Sequence, residues 1–167
     1  MSEKKSVLLA GLGSFGLLIG ALLFQYVGEM PPCKMCYWQR YPHAAAVSIA
    51  ALILLTRIRR FAILGFLLTL LTAGIGGFHA GVEQSWWDGP QTCTSSTIDN
   101  LSTEELLTHI MSAPIARCDE ISWQMFGISM AGWNMVLSVC LAVLWGMALK
   151  SARTLDHRAA NVSDQFK

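Results

Sequence analysis

Residues 6–27 read SVLLAGLGSFGLLIGALLFQYV, 22 positions without a charge. As a helix the stretch is about 33 Å long, enough to cross the ~30 Å hydrocarbon core of a bilayer. Two further blocks, 61–78 and 128–149, are equally free of charge. A fourth, Pro42 to Thr56, is only 15 residues, about 22 Å, which is short for a span. Starting that helix near Tyr37 supplies the missing length. Pro42 then lies in its second turn, where it removes one backbone bond and bends the helix. The sequence therefore predicts an all-α integral membrane protein, a four-transmembrane-helix bundle in one domain over 1–167. The spans fall at approximately 6–27, 37–56, 61–80 and 128–149. The first is read as a retained span, since its apolar run is too long for a typical signal peptide and no clean cleavage site follows.

Composition points the same way. The chain is 53% hydrophobic and 14% charged, against about 25% charged in soluble domains. A net charge of +1 offers no basic surface for nucleic acid. Nine of the 12 Lys and Arg residues lie on one side: Lys4, Lys5, Arg57, Arg59, Arg60, Lys150, Arg153, Arg158 and Lys167. Lys34, Arg40 and Arg117 lie on the other. The positive-inside rule puts both termini and the tail 150–167 in the cytoplasm. Outer loops are then 28–36 and 81–127. The second loop carries seven acidic residues, Glu83, Asp88, Asp99, Glu104, Glu105, Asp119 and Glu120, against one Arg. Within it, Ser102 and Glu105 make a capping box ahead of Leu106, Leu107, Ile110 and Met111, and Pro114 ends the run. This predicts a short amphipathic helix, lying on the membrane surface or packed on its own loop.

Four of the five cysteines fall outside, in a compartment where disulfides persist. Cys33 and Cys36 form a Cys-x-x-Cys. Such a pair serves as a redox dithiol, half a zinc site, a haem attachment or a plain staple. Haem c attachment needs His next, and Tyr37 stands there. Zinc needs two more ligands. A redox dithiol fits best, and no metal is expected. A helix starting near Cys36 favours a thiolate through its dipole, and Arg40, four residues on, shares the face. Cys93 and Cys118 bracket 24 residues. A disulfide between them stabilises the loop by ~3.5 kcal/mol on the chain-entropy model, so a structural staple and an exchanging pair both fit. Cys140, inside the last span, reads as a small hydrophobe. His79, at the outer end of the third span, is either a hydrogen-bond donor or proton shuttle at a site or an interfacial His bonded to backbone. Glu83 follows it. Trp86, Trp87 and Trp123 read as interface anchors.

The run Cys33-Lys34-Met35-Cys36-Tyr37-Trp38-Gln39-Arg40, the pair Cys93 and Cys118 with Trp123 after it, and Phe126-Gly127-Ile128-Ser129-Met130-Ala131-Gly132-Trp133-Asn134 together resemble the disulfide bond formation protein B family. These are bacterial quinone-linked oxidases of the periplasmic protein DsbA. The resemblance covers nearly the whole chain. It implies a multi-pass protein of the bacterial inner membrane that supports disulfide formation in exported proteins. It implies that Cys93 is attacked by the partner's thiolate, and that Cys118 pairs with it and passes electrons to Cys33 and Cys36. Cys36 would then contact ubiquinone or menaquinone, with Arg40 and His79 at the quinone site. The partner would be a DsbA-like thioredoxin-fold protein, and nothing requires more than a monomer. Gln39 departs from relatives that carry an acid there, which touches the geometry of the quinone site. A carrier running electrons the other way would want paired cysteines within the spans. A stapled scaffold would want no turnover.

Overall fold

The computed structural model describes residues 2–90, 104, 107, 111 and 116–165. Helix α1 runs Glu3–Tyr26, α2 Lys34–Thr56, α3 Ala62–Glu83 and α4 Met130–Gln165. A single 3-10 turn, Arg59–Phe61, joins α2 to α3. Among the described residues, three stretches are long and apolar enough to span a membrane: Glu3–Tyr26, Arg59–Glu83 and Met130–Thr154. Helix α2 has the length, at 23 residues, but its first half holds Lys34, Gln39, Arg40, Pro42 and His43. It starts at Lys34, before the expected Tyr37, so Pro42 falls in its third turn.

Helices α1 and α3 bury stripes of mostly small or polar residues and turn most of their large side chains outward. In α1 the buried face is Glu3, Ser6, Val7, Ala10, Gly11 and Ser14, while Leu8, Leu9, Leu12, Phe15 and Leu23 are exposed. In α3, Ala62, Gly65, Thr69, Thr72, Gly76 and His79 are buried at alternating steps of three and four. Lipid rewards this inversion. Between helices in a bilayer there is no hydrophobic gain, so close backbone approach and hydrogen bonds hold the bundle. Gly11 is one such approach: a Cβ there would lie 2.7 Å from Ala50 Cβ.

Short connections make α1 and α2, and α2 and α3, antiparallel. Helix α3 packs along α4, α2 along α3, and α1 closes the ring against α2 and α4. One end of the bundle is filled by Val7, Ala10, Ala50, Ile53, Ala62, Trp145 and Ala148, drawn from all four helices. There Glu3 pairs with Arg59 at 3.0 Å. The other end gathers the C-termini of α1 and α3 and the N-termini of α2 and α4. That is where Cys33, Cys36 and Cys118 lie.

The purely helical expectation needs one amendment. Strands β1 (Gln124–Met125) and β2 (Ile128–Ser129) pair antiparallel just before α4. Phe126 and Gly127 between them have φ of 54° and 76°, the two left-handed residues that a tight hairpin turn requires. This delays the helix to Met130, two residues after the expected start. Of the expected loop helix, Glu104, Leu107 and Met111 are helical, and its other residues lie outside the described ones.

Candidate active site

Cys33 follows Pro31 and Pro32, which hold the chain extended. It is the N-cap of α2, and its sulfur accepts the Cys36 N–H at 3.3 Å. The two sulfurs are 3.1 Å apart, with the Cys33 S–H donating to Cys36. That bond is the first reason the Cys36 thiol is lowered to about 7; the Arg40 charge adds to it against burial. Cys33 moves the other way, pushed up because its proton is held in the bond to Cys36 and because it is buried. One negative charge thus belongs to the pair, and it sits on Cys36. Alkylation of Cys36 by iodoacetamide should gain about tenfold in rate per pH unit below about 7 and level off above it. Cys33→Ala should move that inflection up further than Arg40→Gln, and mass-spectrometric rates would show the order.

Cys118 comes from the far loop and is fully buried against Cys33 and Met35. The donor atoms of Cys33, His79 and Cys118 all lie within 4.8 Å of one another. Next to Cys118, Arg117 is tied to Asp119 at 2.6 Å and to Glu120 at 3.2 Å, which stiffens this stretch of loop. Two thiols and an imidazole are also ligand types that zinc accepts. Cys93 lies outside the described residues. Cys140 is exposed on α4, away from the others.

His79 is buried, with Nε2 3.6 Å from Cys33 Sγ and 3.8 Å from Glu83 Oε1. Its Nδ1 is 2.9 Å from the side-chain nitrogen of Gln39. Arg40 reaches across to α1, donating to Gln25 Oε1 at 2.6 Å and to the Ala21 carbonyl at 3.2 Å. Its guanidinium lies 5.2 Å over the Tyr37 ring. A cavity of about 440 Å³ opens beside these groups, between α1, α2, the outer loop and α4. Leu17, Phe24, Trp123, Met130 and Leu137 give it apolar walls, and Cys36, Arg40, His79 and Glu83 its polar side. Trp123 contacts Phe24 with ring centroids 5.1 Å apart, so it forms wall as well as anchor. Trp87 instead stacks on Phe78 and donates to its carbonyl at 2.9 Å.

The fold thus brings Cys33, Cys36, Arg40, His79 and Cys118 to one end of the bundle. It adds His43, Asn134, Thr72 and Ser14, to which sequence reasoning gave no role. A His inside a span is itself a signal, and His43 carried it.

The family model for "Disulfide bond formation protein DsbB" matches residues 3–148. The chain belongs to the DsbB family. A DsbB from Polaromonas naphthalenivorans is 29% identical over 155 residues, covering 89% of this chain and 90% of its own. One from Paracidovorax citrulli is 28% identical over 160 residues, 91% and 90%. An uncharacterized protein of Rickettsia prowazekii is 26% identical over 133 residues, 77% of each. No solved structure matches the chain. Membership in DsbB makes disulfide formation the chemistry against which the three converging sulfurs are read.

Proposed function

We propose that this chain reoxidises a periplasmic DsbA-like thioredoxin-fold protein and delivers the electrons to ubiquinone or menaquinone. The observation that carries the reading is the meeting of Cys33 and Cys118 at His79, with Cys36 beside Cys33 and with Cys33, Cys36 and His79 on the wall of an apolar cavity. The partner's dithiol reduces Cys93–Cys118 through a mixed disulfide at Cys93. The freed Cys118 thiolate attacks Cys33 of the Cys33–Cys36 disulfide, and Cys36 leaves. A thiol of low pKa leaves fastest; Cys33 has no proton to donate once it is bonded to Cys118, and the Arg40 charge, which lowers the Cys36 thiol, remains to stabilise the departing Cys36 thiolate. Arg40 stands to hold the Cys36 thiolate and the oxygen side of a quinone. The cavity fits such a ring: apolar walls, a cationic donor, and a buried Glu83 Oε2 with no hydrogen-bond partner among the described residues. A bound quinone supplies a two-electron, two-proton sink, so each partner dithiol becomes a disulfide as one quinone becomes quinol.

In this reading α2 is the second of four spans in a single domain. Its polar half is turned to the cavity rather than to lipid. Both termini are cytoplasmic, the cysteine loops are periplasmic, and the protein sits in the inner membrane as a monomer. The test is turnover in detergent with a ubiquinone analogue and a reduced DsbA-like protein, followed by quinone absorbance. Quinone loss that vanishes in both Cys36→Ser and Cys93→Ser is expected. Intact, unreactive disulfides in the wild type with no quinone loss would leave a stapled scaffold as the better account.

A further inference from the structure

Six buried or half-buried side chains form one hydrogen-bonded line from the middle of the bundle to the Cys33 sulfur. Its direction is set by two groups that cannot reverse. The Met35 carbonyl only accepts, and it lies 3.3 Å from one end of the Gln39 amide. That end is therefore the nitrogen. The same nitrogen faces His79 Nδ1 at 2.9 Å, so Nδ1 accepts and carries no proton. The Thr72 hydroxyl gives its hydrogen to the Gln39 carbonyl at 3.0 Å, so its oxygen can only accept from Asn134 at 3.3 Å. The Asn134 nitrogen is fixed by that contact, and it also donates to Gln39 Oε1 at 2.7 Å. The two anchors agree.

The rest follows. Asn134 Oδ1 accepts from His43 Nε2 at 3.0 Å, and His43 Nδ1 takes the Ser14 hydroxyl at 3.3 Å. Each group donates to the next: Ser14, His43, Asn134, Gln39, His79, Cys33. In a low-dielectric interior such a line polarises itself and strengthens each link.

We propose that Gln39 and Asn134 are positioning residues that hold His79 as a neutral imidazole with its proton on Nε2, aimed at the Cys33 sulfur. A second proton on Nδ1 would set an N–H against the Gln39 NH₂. Gln39 could relieve that only by turning its oxygen onto the Met35 carbonyl. The titratable groups facing His79 agree with this placement. Glu83, on the same helix, lies on the Nε2 side, as do Cys33 from the α2 cap and Cys118 from the loop. Helix α4 offers the uncharged Asn134. His79 is then a standing hydrogen-bond donor at the point where Cys118 and Cys33 exchange, and it is not a proton shuttle. A donor there steadies thiolate charge on either sulfur without taking a proton from the thiol. That role rests on the exchange reading above; the tautomer does not.

The test is nitrogen NMR of histidine-labelled protein in lipid bilayers, with His79 assigned by its loss in His79→Asn. The wild type should show a protonated Nε2 and a bare Nδ1 across neutral pH. Gln39→Glu, nearly isosteric, puts a carboxylate against Nδ1 and should move the proton there or make imidazolium. A residue that only fills space would not move the tautomer. A wild-type proton on Nδ1, or a tautomer unchanged in Gln39→Glu, overturns the proposal. If that variant does not fold, the wild-type spectrum decides alone. Neither measurement needs quinone or partner, so a failed turnover assay and a failed tautomer prediction stay separate.

Discussion

Arg40→Met is expected to slow quinone-linked turnover by about 10²- to 10³-fold, the cost of removing one well-placed donor from a water-poor site. The side chain is nearly as long, so the change is chiefly one of charge and hydrogen bonding. A guanidinium has five N–H donors in a fixed fork. Two bonds tie Arg40 to Gln25 and the Ala21 carbonyl on α1, which aims the group rather than letting it snorkel to the surface. From there its charge lowers the Cys36 thiol and faces the cavity. Arg40→Lys keeps the charge and loses the fork, so partial activity is expected. Gln25→Leu removes one of the two bonds that aim Arg40 and keeps the charge and the Ala21 bond, so a loss smaller than that of Arg40→Met is expected. Steady-state rates against quinone concentration would separate these cases. Full activity in Arg40→Met would reduce the residue to a helix strut.

Gly65→Ala carries the largest expected loss of stability, about 1–3 kcal/mol for overpacking a filled core. A Cβ at Gly65 would meet the Trp145 ring at 2.5 Å. Trp145 is wholly buried among Val7, Ala10, Ala50, Ile53, Ala62 and Ala148, so a rigid indole has nowhere to go, and α3 must lift from α4. Gly74→Ala is the control on the same helix. Nothing lies within 4 Å of a Cβ there, and Ala is the better helix former by up to about 1 kcal/mol. Thermal unfolding in one detergent should lower the midpoint for Gly65→Ala and leave it equal or higher for Gly74→Ala. Equal midpoints would mean that the α3–α4 contact is looser than described.

Much of the architecture was legible because a bilayer reads sequence crudely. Charge-free runs of span length located α1, α3 and the start of α4 to within a few residues, but α4 continues to Gln165, well past the expected end at 149. Helix α2 was harder, since Gln39, Arg40 and His43 serve the bundle interior and dilute the apolar signal that defines a span. The hairpin before α4 rests on two residues with positive φ, one of them Phe126, a type that gives no warning of it. At the site, Cys33, Cys36 and Arg40 stood out because the motif is local and helical spacing aligns it. The arrival of Cys118 beside Cys33 was not legible, because a loop's path depends on packing and not on period. The Gln39–Asn134 and His43–Asn134 bonds join positions 95 and 91 residues apart, and no window along the chain contains both ends. His79 was singled out with two roles open, and its contacts with Gln39 and Cys33 come from α2 and its cap, beyond the reach of its own place in the sequence.

One sulfur has two occupations. Cys33 ends α2 by accepting the Cys36 N–H, and it is also a sulfur through which electrons are proposed to pass. An acceptor at a helix start is worth about 1 kcal/mol, and a sulfur drawn into a bond with Cys118 must give up that geometry. The first turn of α2 is therefore a readout of redox state written in the backbone. When Cys33 is engaged elsewhere, the Cys36 amide loses its side-chain acceptor, while the Cys36 sulfur already faces the cavity.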